Sequence, residues 1–466
     1  MQDPTNRTRT RPSPPTVQAV LLHAAIFGKG SLDSGYTRPP MPRVAMKEDA
    51  VLIELRRRAH DGSPVALYQL ASALVVRHEL DEAFTLHRRA AEAGLANAQI
   101  EHARMLMYGV GCDADPMRAA EWFLRAESAG SPIAGYFLAL MSLGGRLLPR
   151  DGRINERVLR AVRADYPPAL RAAAVHFGRK AHPSDQLHCL QLLERATSLG
   201  DVISARLFAE RLARGEGDKP QPAAAHELRV QLRARGIKPL PDIVVPEYAP
   251  NPSAPGVLSM EDVLQPMDLH LQSTRPRVMT VDGLLSAEEC RLLIANAEVH
   301  LQRSRTVDPE TGLPLEQEIR TSSDAAFDAI LEDLALRCVQ LRMATAAGVP
   351  LDHAEHLVVL RYEPGQEYRP HRDYRPPSSI EHDRPEAGNR LRTICAYLNE
   401  VEAGGHTEFP VAGLRVAPRP GRAVVFENLH ANGAPDPDSL HAGLPVERGV
   451  KWLATLWLRQ APYRRF

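Results

Sequence analysis

The chain lacks several features that would place it quickly, and each absence removes a class of function. Its 466 residues carry no net charge, with 57 Lys and Arg against 57 Asp and Glu. There is no basic field of the kind that draws a protein onto phosphate backbones, so nucleic acid is not expected as a partner. Cysteine is scarce: Cys112, Cys189, Cys290, Cys338 and Cys395 are far apart and odd in number. That pattern suits reduced thiols better than a disulfide framework or a zinc knuckle, and it favours a cytoplasmic location. No run approaches the roughly eighteen apolar residues of a membrane span, so no membrane is expected.

Residues 1 to 45 are rich in Pro, Arg, Ser and Thr and are expected to form a disordered leader. Arg7, Arg9 and Arg11 precede the apolar run "VQAVLLHAAIF" at 17 to 27, a faint imitation of a signal peptide. Asp3 and several prolines crowd the charged region, His23 interrupts the run, and no small-x-small cleavage site follows. The run reads better as a short helix.

What is present is apolar substance, 44% of residues, in a chain long enough for two or three domains. Residues 46 to 217 are alanine-rich, with apolar residues at helical spacing. The segment repeats itself: "RRAAEAGLANAQIEHA" at 88 to 103 is echoed by "LRAESAGSPIAGYFLA" at 124 to 139. Ala83 and Ala119, Ala90 and Ala126, and Gly94 and Gly130 are each 36 residues apart. "RATSLGDVISARLFA" resumes the pattern at Gly200, after a degenerate copy, and "DGSPVALYQLA" at 61 to 71 looks like an earlier one. Such a period, with small residues at helix crossings, predicts a helical solenoid. "GVGCDADPMRAAEWFLRAESAG" resembles the Sel-one type of tetratricopeptide-like repeat. The resemblance implies a protein-binding or domain-orienting scaffold.

Prolines crowd residues 218 to 270, where "KPLPDIVVPEYAPNPSAPG" predicts an extended linker. Residues 271 to 466 have a different texture. "LLSAEECRLLIANAE" opens with a capping box, Ser286 with Glu289 three later. Short apolar runs follow at 356 to 362, 391 to 398, 414 to 418, 421 to 428 and 451 to 459, predicting an antiparallel barrel or sandwich.

Within this region "YRPHRDYRPP" places His371 two residues before Asp373. On an extended segment both side chains face one way and Arg372 faces the other. His441, just before the last predicted strand, supplies a third donor, and two imidazoles with one carboxylate suit non-haem Fe(II) with open coordination positions. The ligand set alone also suits zinc, as in a hydrolase. Lys451 starts an apolar strand; pointing inward it needs an anion, and the remote carboxylate of 2-oxoglutarate fits that need.

The same region resembles the prolyl 4-hydroxylase branch of the Fe(II)/2-oxoglutarate dioxygenases. The resemblance rests on "LLSAEECRLLI", "IRTSSD", "LRYEPGQEYRPHRDY", "RLRTICAYLNEVEAGGHTEFP", "VAPRPGRAVVFEN" and "HAGLPVERGVKWLATLWLR". It implies a C-terminal double-stranded β-helix, or jelly roll, with flanking helices, following the all-α repeat solenoid.

It further implies that His371, Asp373 and His441 are iron ligands and that Lys451, Tyr362 and Thr407 bind the co-substrate. Tyr368, Arg390 and Trp457 then stand near a peptidyl substrate. Hydroxylation of a prolyl residue in a peptide or protein follows, consuming O2 and 2-oxoglutarate, releasing succinate and CO2, with ascorbate as an accessory reductant. The repeats would help recruit that substrate. Hydroxylation of another residue or of a free amino acid, and an inactive scaffold binding a partner, are the competing readings; the intact triad with Lys451 weighs against the last. His406 stands where the family has an acid in "GGET", and the polar, proline-rich run 375 to 389 is expected to be a mobile loop beside the site.

Overall fold

The computed structural model describes residues 50–245, 253–307, 314–315 and 318–464, so the leader and its apolar run lie outside the described residues. From Ala50–Ala59 onward the chain is helical, each helix packing on the next. Proline occupies the first turn of the helices Pro64–Val76, Pro116–Ser128, Pro132–Ser142, Pro167–Gly178 and Pro183–Ser198. There its fixed φ suits the helix and its missing N–H costs nothing. The periodic small residues Ala83, Ala90, Ala119 and Ala126 are fully buried where helices cross. Gly94, Gly130 and Gly200 take φ near +90° just past their helices (89°, 93° and 89°), a left-handed conformation that side chains resist. The repeat thus encodes both the crossings and the turns.

The region read as a linker is more structured than its prolines suggest. It contains the helix Pro222–Ala234, and beyond it Leu240, Ile243, Leu258, Met260 and Val263 are buried. Lys180 Nζ donates to the Val257 carbonyl at 3.0 Å, and the Gly256 N–H donates to Asp185 at 2.7 Å. Prolines forbid continuous helix here, but the branched apolar residues between them still fill a seam.

The C-terminal part is a jelly roll of antiparallel strands. An eight-stranded sheet runs in the order His270–Thr274, Arg277–Val281, Ala423–Glu427, Arg390–Tyr397, Lys451–Arg459, Leu357–Tyr362, Ser323–Phe327, Gln302–Arg303. A four-stranded sheet, Leu414–Val416, Thr407–Phe409, His441–Gly443, Tyr368–His371, faces it. Alternation assigns the faces. Val278, Leu360, Tyr362, Cys395, Tyr397, Val424, Phe426 and Leu453 pack between the sheets, while Val359, Ile394, Ala396, Val425, Ala454 and Leu456 join the core beneath the helices.

Two helices, Ala287–Ala297 and Leu334–Ala346, lie between the large sheet and the repeats and are buried almost all round. Their outward charges are met by arginines of the repeats. Arg179 donates to Glu289 at 2.8 Å, and Glu289 also closes the capping box by accepting from the Ser286 N–H at 2.8 Å. Burial alone would push the Glu289 carboxyl up; Arg179, Arg342 and Ser286 instead hold it down at about 2. Arg211 and Arg291 share Glu288 Oε1 at 3.0 and 2.6 Å, with all three side chains at most 1% exposed. Arg171 grips Asp333, the N-cap of the second helix, at 2.7 Å. Backbone approach is as close as the charges demand: a Cβ on Gly178 would stand 2.6 Å from Glu288 Cγ.

Two predictions follow from this packing. Glu288→Leu removes the buried carboxylate that Arg211 and Arg291 share, leaving them Gln186 and Glu216, and is expected to lower unfolding free energy by about 1.5–3 kcal/mol; urea unfolding reads this, and a change below about 0.5 kcal/mol would refute the role. Burial also holds His87 down to about 3, and His102, packed against Phe84 and Trp122, down to about 4. Both fold as neutral rings, so their contribution is complete above the unfolded value near 6.5 and is lost as pH falls toward 4. The urea midpoint should drop across that window, and His102→Phe should flatten the drop.

Candidate metal centre

His371 ends the strand Tyr368–His371 and His441 begins the strand His441–Gly443. The antiparallel register pairs these two residues directly. Asp373 follows two residues later, just past the strand in a bend, and still turns to the same side. One donor atom from each lies within 4.8 Å of the others, with His371 Nε2 and His441 Nε2 each 3.7 Å from an Asp373 oxygen. Arg372, between them, is exposed and donates to the Pro437 carbonyl at 2.8 Å, away from the cluster.

Backbone carbonyls fix both rings. Arg369 O lies 2.8 Å from His371 Nδ1 and Ser439 O lies 2.9 Å from His441 Nδ1, so each Nδ1 carries the proton and each Nε2 keeps its lone pair. Burial and the neighbouring His441 push His371 down to about 3, keeping it neutral. Burial pushes the Asp373 carboxyl up, but His441, His371, Arg390 and the Thr393 hydrogen bond bring it below its ordinary value. Asp373 Oδ2 accepts from Thr393 Oγ1 at 2.7 Å, and Thr393 accepts from Asn428 at 2.9 Å. Thr393 and Asn428 escaped the sequence reading; the only sign of them there was apolar strand context broken by a polar residue.

The cluster opens into a pocket between the sheets. Lys451, paired in register with Tyr362, projects into it and is buried without an ion pair among the described residues. Burial lowers its ammonium to about 8. The Tyr362 and Tyr397 rings lie 5.4 and 5.5 Å from Nζ, a partial compensation for lost water. Ser322 bonds to the Tyr362 hydroxyl, and Ser304 backs Ser322 at 2.8 Å. Thr407, Tyr368 and Trp457 also line the pocket, with the Tyr368 ring stacked on His371 at 3.4 Å.

The residues fit a divalent ion on one wall and a carboxylate on the other. Two free imidazole nitrogens and a carboxylate on one side leave coordination positions open, and a buried ammonium with no anion partner among the described residues asks for one.

Arg390 differs from expectation. It does not line the pocket: its guanidinium is held by Glu355 through two 2.7 Å bonds and stacks on Trp457 at 4.1 Å. Arg320, of "IRTSSD", does line it, 5.3 Å from the Tyr368 ring centroid, and was missed because nothing in sequence spacing ties it to the triad. The run 375 to 389 is not a loose loop. It forms a helix, Pro377–Glu381, and a short turn, and Asp383 binds Arg375, Arg459 (2.8 Å) and Tyr463 (3.1 Å). Its charges lie opposite partners that only the fold brings near.

With this geometry in place, comparison with known proteins defines the class. Residues 357–459 match the 2OG-Fe(II) oxygenase superfamily, and residues 64–95, 96–131 and 167–201 match the Sel1 repeat. Probable prolyl 4-hydroxylase 3 of Arabidopsis thaliana is 37% identical over 211 residues, covering 41% of this chain and 72% of that protein. Prolyl 4-hydroxylase 2 of the same plant is 34% identical over 226 residues, covering 43% and 73%. Among solved structures, a viral collagen prolyl hydroxylase from Paramecium Bursaria Chlorella virus-1 is 27% identical, with a TM-score of 0.30, covering 39% of this chain and 95% of that one. A Sel1 repeat protein from Oxalobacter formigenes is 18% identical, with a TM-score of 0.34, covering 40% and 78%. The chain is a 2-oxoglutarate-dependent dioxygenase joined to Sel1 repeats. It belongs to the prolyl 4-hydroxylase family.

Thr393→Val removes the hydrogen bond that orients Asp373 and should weaken metal binding by about 10–100-fold. Calorimetric titration with Mn(II) measures this; unchanged affinity would remove Thr393 from the site.

Proposed function

We propose that this protein hydroxylates a prolyl residue of a peptide or protein, with His371, Asp373 and His441 holding Fe(II) and Lys451 holding the remote carboxylate of 2-oxoglutarate. The observation that carries the reading is Lys451: a buried lysine without a counter-ion among the described residues, sharing a pocket with a His-Asp-His cluster. A hydrolase using the same three ligands has no evident use for it. The prolyl target comes from the family: the curated relatives are named for prolyl 4-hydroxylation.

Iron with 2-oxoglutarate and O2 supplies the oxidation, in which C–H becomes C–OH and 2-oxoglutarate leaves as succinate and CO2. The chain's residues do the rest. Lys451 neutralises the carboxylate, and Tyr362 and Thr407 add hydroxyl donors beside it. Thr393 and the two backbone carbonyls keep the three ligand atoms aimed at one point. Tyr368 and Trp457 form the wall against which the target ring packs. The Trp457 indole N–H is buried without a partner among the described residues, a donor left over for a peptide carbonyl. Arg390 acts one step back, by fixing the Trp457 face through Glu355.

All five cysteines are free thiols, which supports a reducing compartment, the cytoplasm. No described helix is long and apolar enough to cross a membrane. Ascorbate as the reductant that maintains ferrous iron rests on family resemblance alone. The repeats are proposed to recruit the protein substrate.

The decisive assay is O2-dependent formation of succinate from 2-oxoglutarate by the Fe(II) protein, with a broad panel of proline-containing peptides. Turnover with hydroxyproline formation is expected, and its complete absence, coupled or uncoupled, would end the enzyme reading; His371→Ala should abolish it. Lys451→Ala should raise the 2-oxoglutarate requirement by at least about 30-fold. In the native protein that requirement should rise above about pH 8, as the ammonium loses its proton. A flat profile from pH 7 to 9.5 would remove Lys451 from its role.

A further inference from the structure

Thr407 cannot by itself decide where its hydroxyl proton points. On one side it faces the pocket that Lys451 and Tyr362 also line. On the other stands the phenol of Tyr397, fully buried on the strand Arg390–Tyr397 of the facing large sheet, whose hydroxyl donates to Thr407 Oγ1 at 2.7 Å. The phenol has one alternative acceptor, the Val416 carbonyl at 3.4 Å, which is too long to compete well. A threonine oxygen that accepts from the phenol keeps its own proton for a further acceptor. Among the described residues the Thr407 hydroxyl has no such acceptor of its own. The same Tyr397 ring lies 5.5 Å from Lys451 Nζ, as the Tyr362 ring does at 5.4 Å, so aromatic surface steadies the ammonium in the same pocket.

We infer that Tyr397 is a positioning residue for the co-substrate: its phenol turns the Thr407 proton toward the remote carboxylate, while its ring holds the Lys451 ammonium on the same target. Tyr397 does not line the pocket and acts through Thr407 and Lys451. The inference rests on the reading of this pocket as the 2-oxoglutarate site.

The test is calorimetric titration of 2-oxoglutarate into the full-length, Fe(II)-loaded protein without O2. Tyr397→Phe keeps the ring and removes the donor, and should raise Kd about three- to tenfold. Thr407→Val should raise it by a similar or larger factor. The double variant should bind no worse than Thr407→Val alone, because a residue acting through Thr407 has nothing left to act on. Wild-type affinity in Tyr397→Phe, or losses that simply multiply in the double variant, would overturn the inference. Lys451→Ala is titrated in parallel: if it binds 2-oxoglutarate as tightly as wild type, the pocket assignment itself fails, and that outcome is distinct from failure of Tyr397 alone. Should Tyr397→Phe not fold, fluorotyrosine at position 397 is a nearly isosteric substitute and a stronger donor. It should tighten binding, and an unchanged Kd would overturn the inference equally.

Discussion

A β-strand shows alternate residues to opposite sides, and the Lys451–Arg459 strand at the middle of the large sheet commits each side to a different task. Lys451, Thr455 and Trp457 line the pocket, while Trp452, Ala454, Leu456 and Leu458 are buried in the core beneath the helices. A slip of one residue would exchange the two sets, placing the lysine in an apolar core and removing its ammonium from the pocket. The register is therefore fixed by the core, and the chemistry inherits its precision. Its neighbours obey the same rule: Tyr362 opposite Lys451 and Cys395 on the other flank line the pocket, with Thr393 and Tyr397 on the same face of their strand.

The far side of that sheet explains why the repeats belong to the molecule. The helices Ala287–Ala297 and Leu334–Ala346 cover the sheet, yet they carry Glu288, Glu289, Arg291, Arg337 and Arg342, an improbable load for buried helices. The repeats make that load tolerable by supplying Arg179 and Arg211 at fully enclosed positions. Such networks are poor sources of net stability compared with apolar packing, but each is costly to break once formed. What they provide here is a set of paired charges that joins the solenoid to the oxygenase.

Much of this was legible in the sequence because its signals are local. The 36-residue period located the helix crossings, Ser286 with Glu289 located a capping box that the structure forms, and the strand Lys451–Arg459 was read to the residue. The His-Asp-His cluster was legible because two of its members are two residues apart and the third precedes a recognisable strand. What escaped depends on partners distant in sequence. Arg390 reads as an available cation until Glu355, thirty-five residues earlier, takes both of its forks. Asp383 reads as a loop charge until Arg459 arrives from the last strand. The helix Pro222–Ala234 and the hairpin from His270 to Val281 were hidden by neighbouring prolines that signal interruption without saying what is interrupted.

The buried ion network also fixes a length. The solenoid sits behind the sheet and the pocket opens in front, so a layer of helices and the sheet itself separate them, roughly 20 Å of protein. If the repeats recruit the substrate, as proposed, the bound chain would thread around the edge, and more than about six extended residues would be needed merely to cover the direct distance. The molecule would then act as a caliper. Which proline reaches the iron would be set by its count along the chain from the docked segment as much as by the residues beside it.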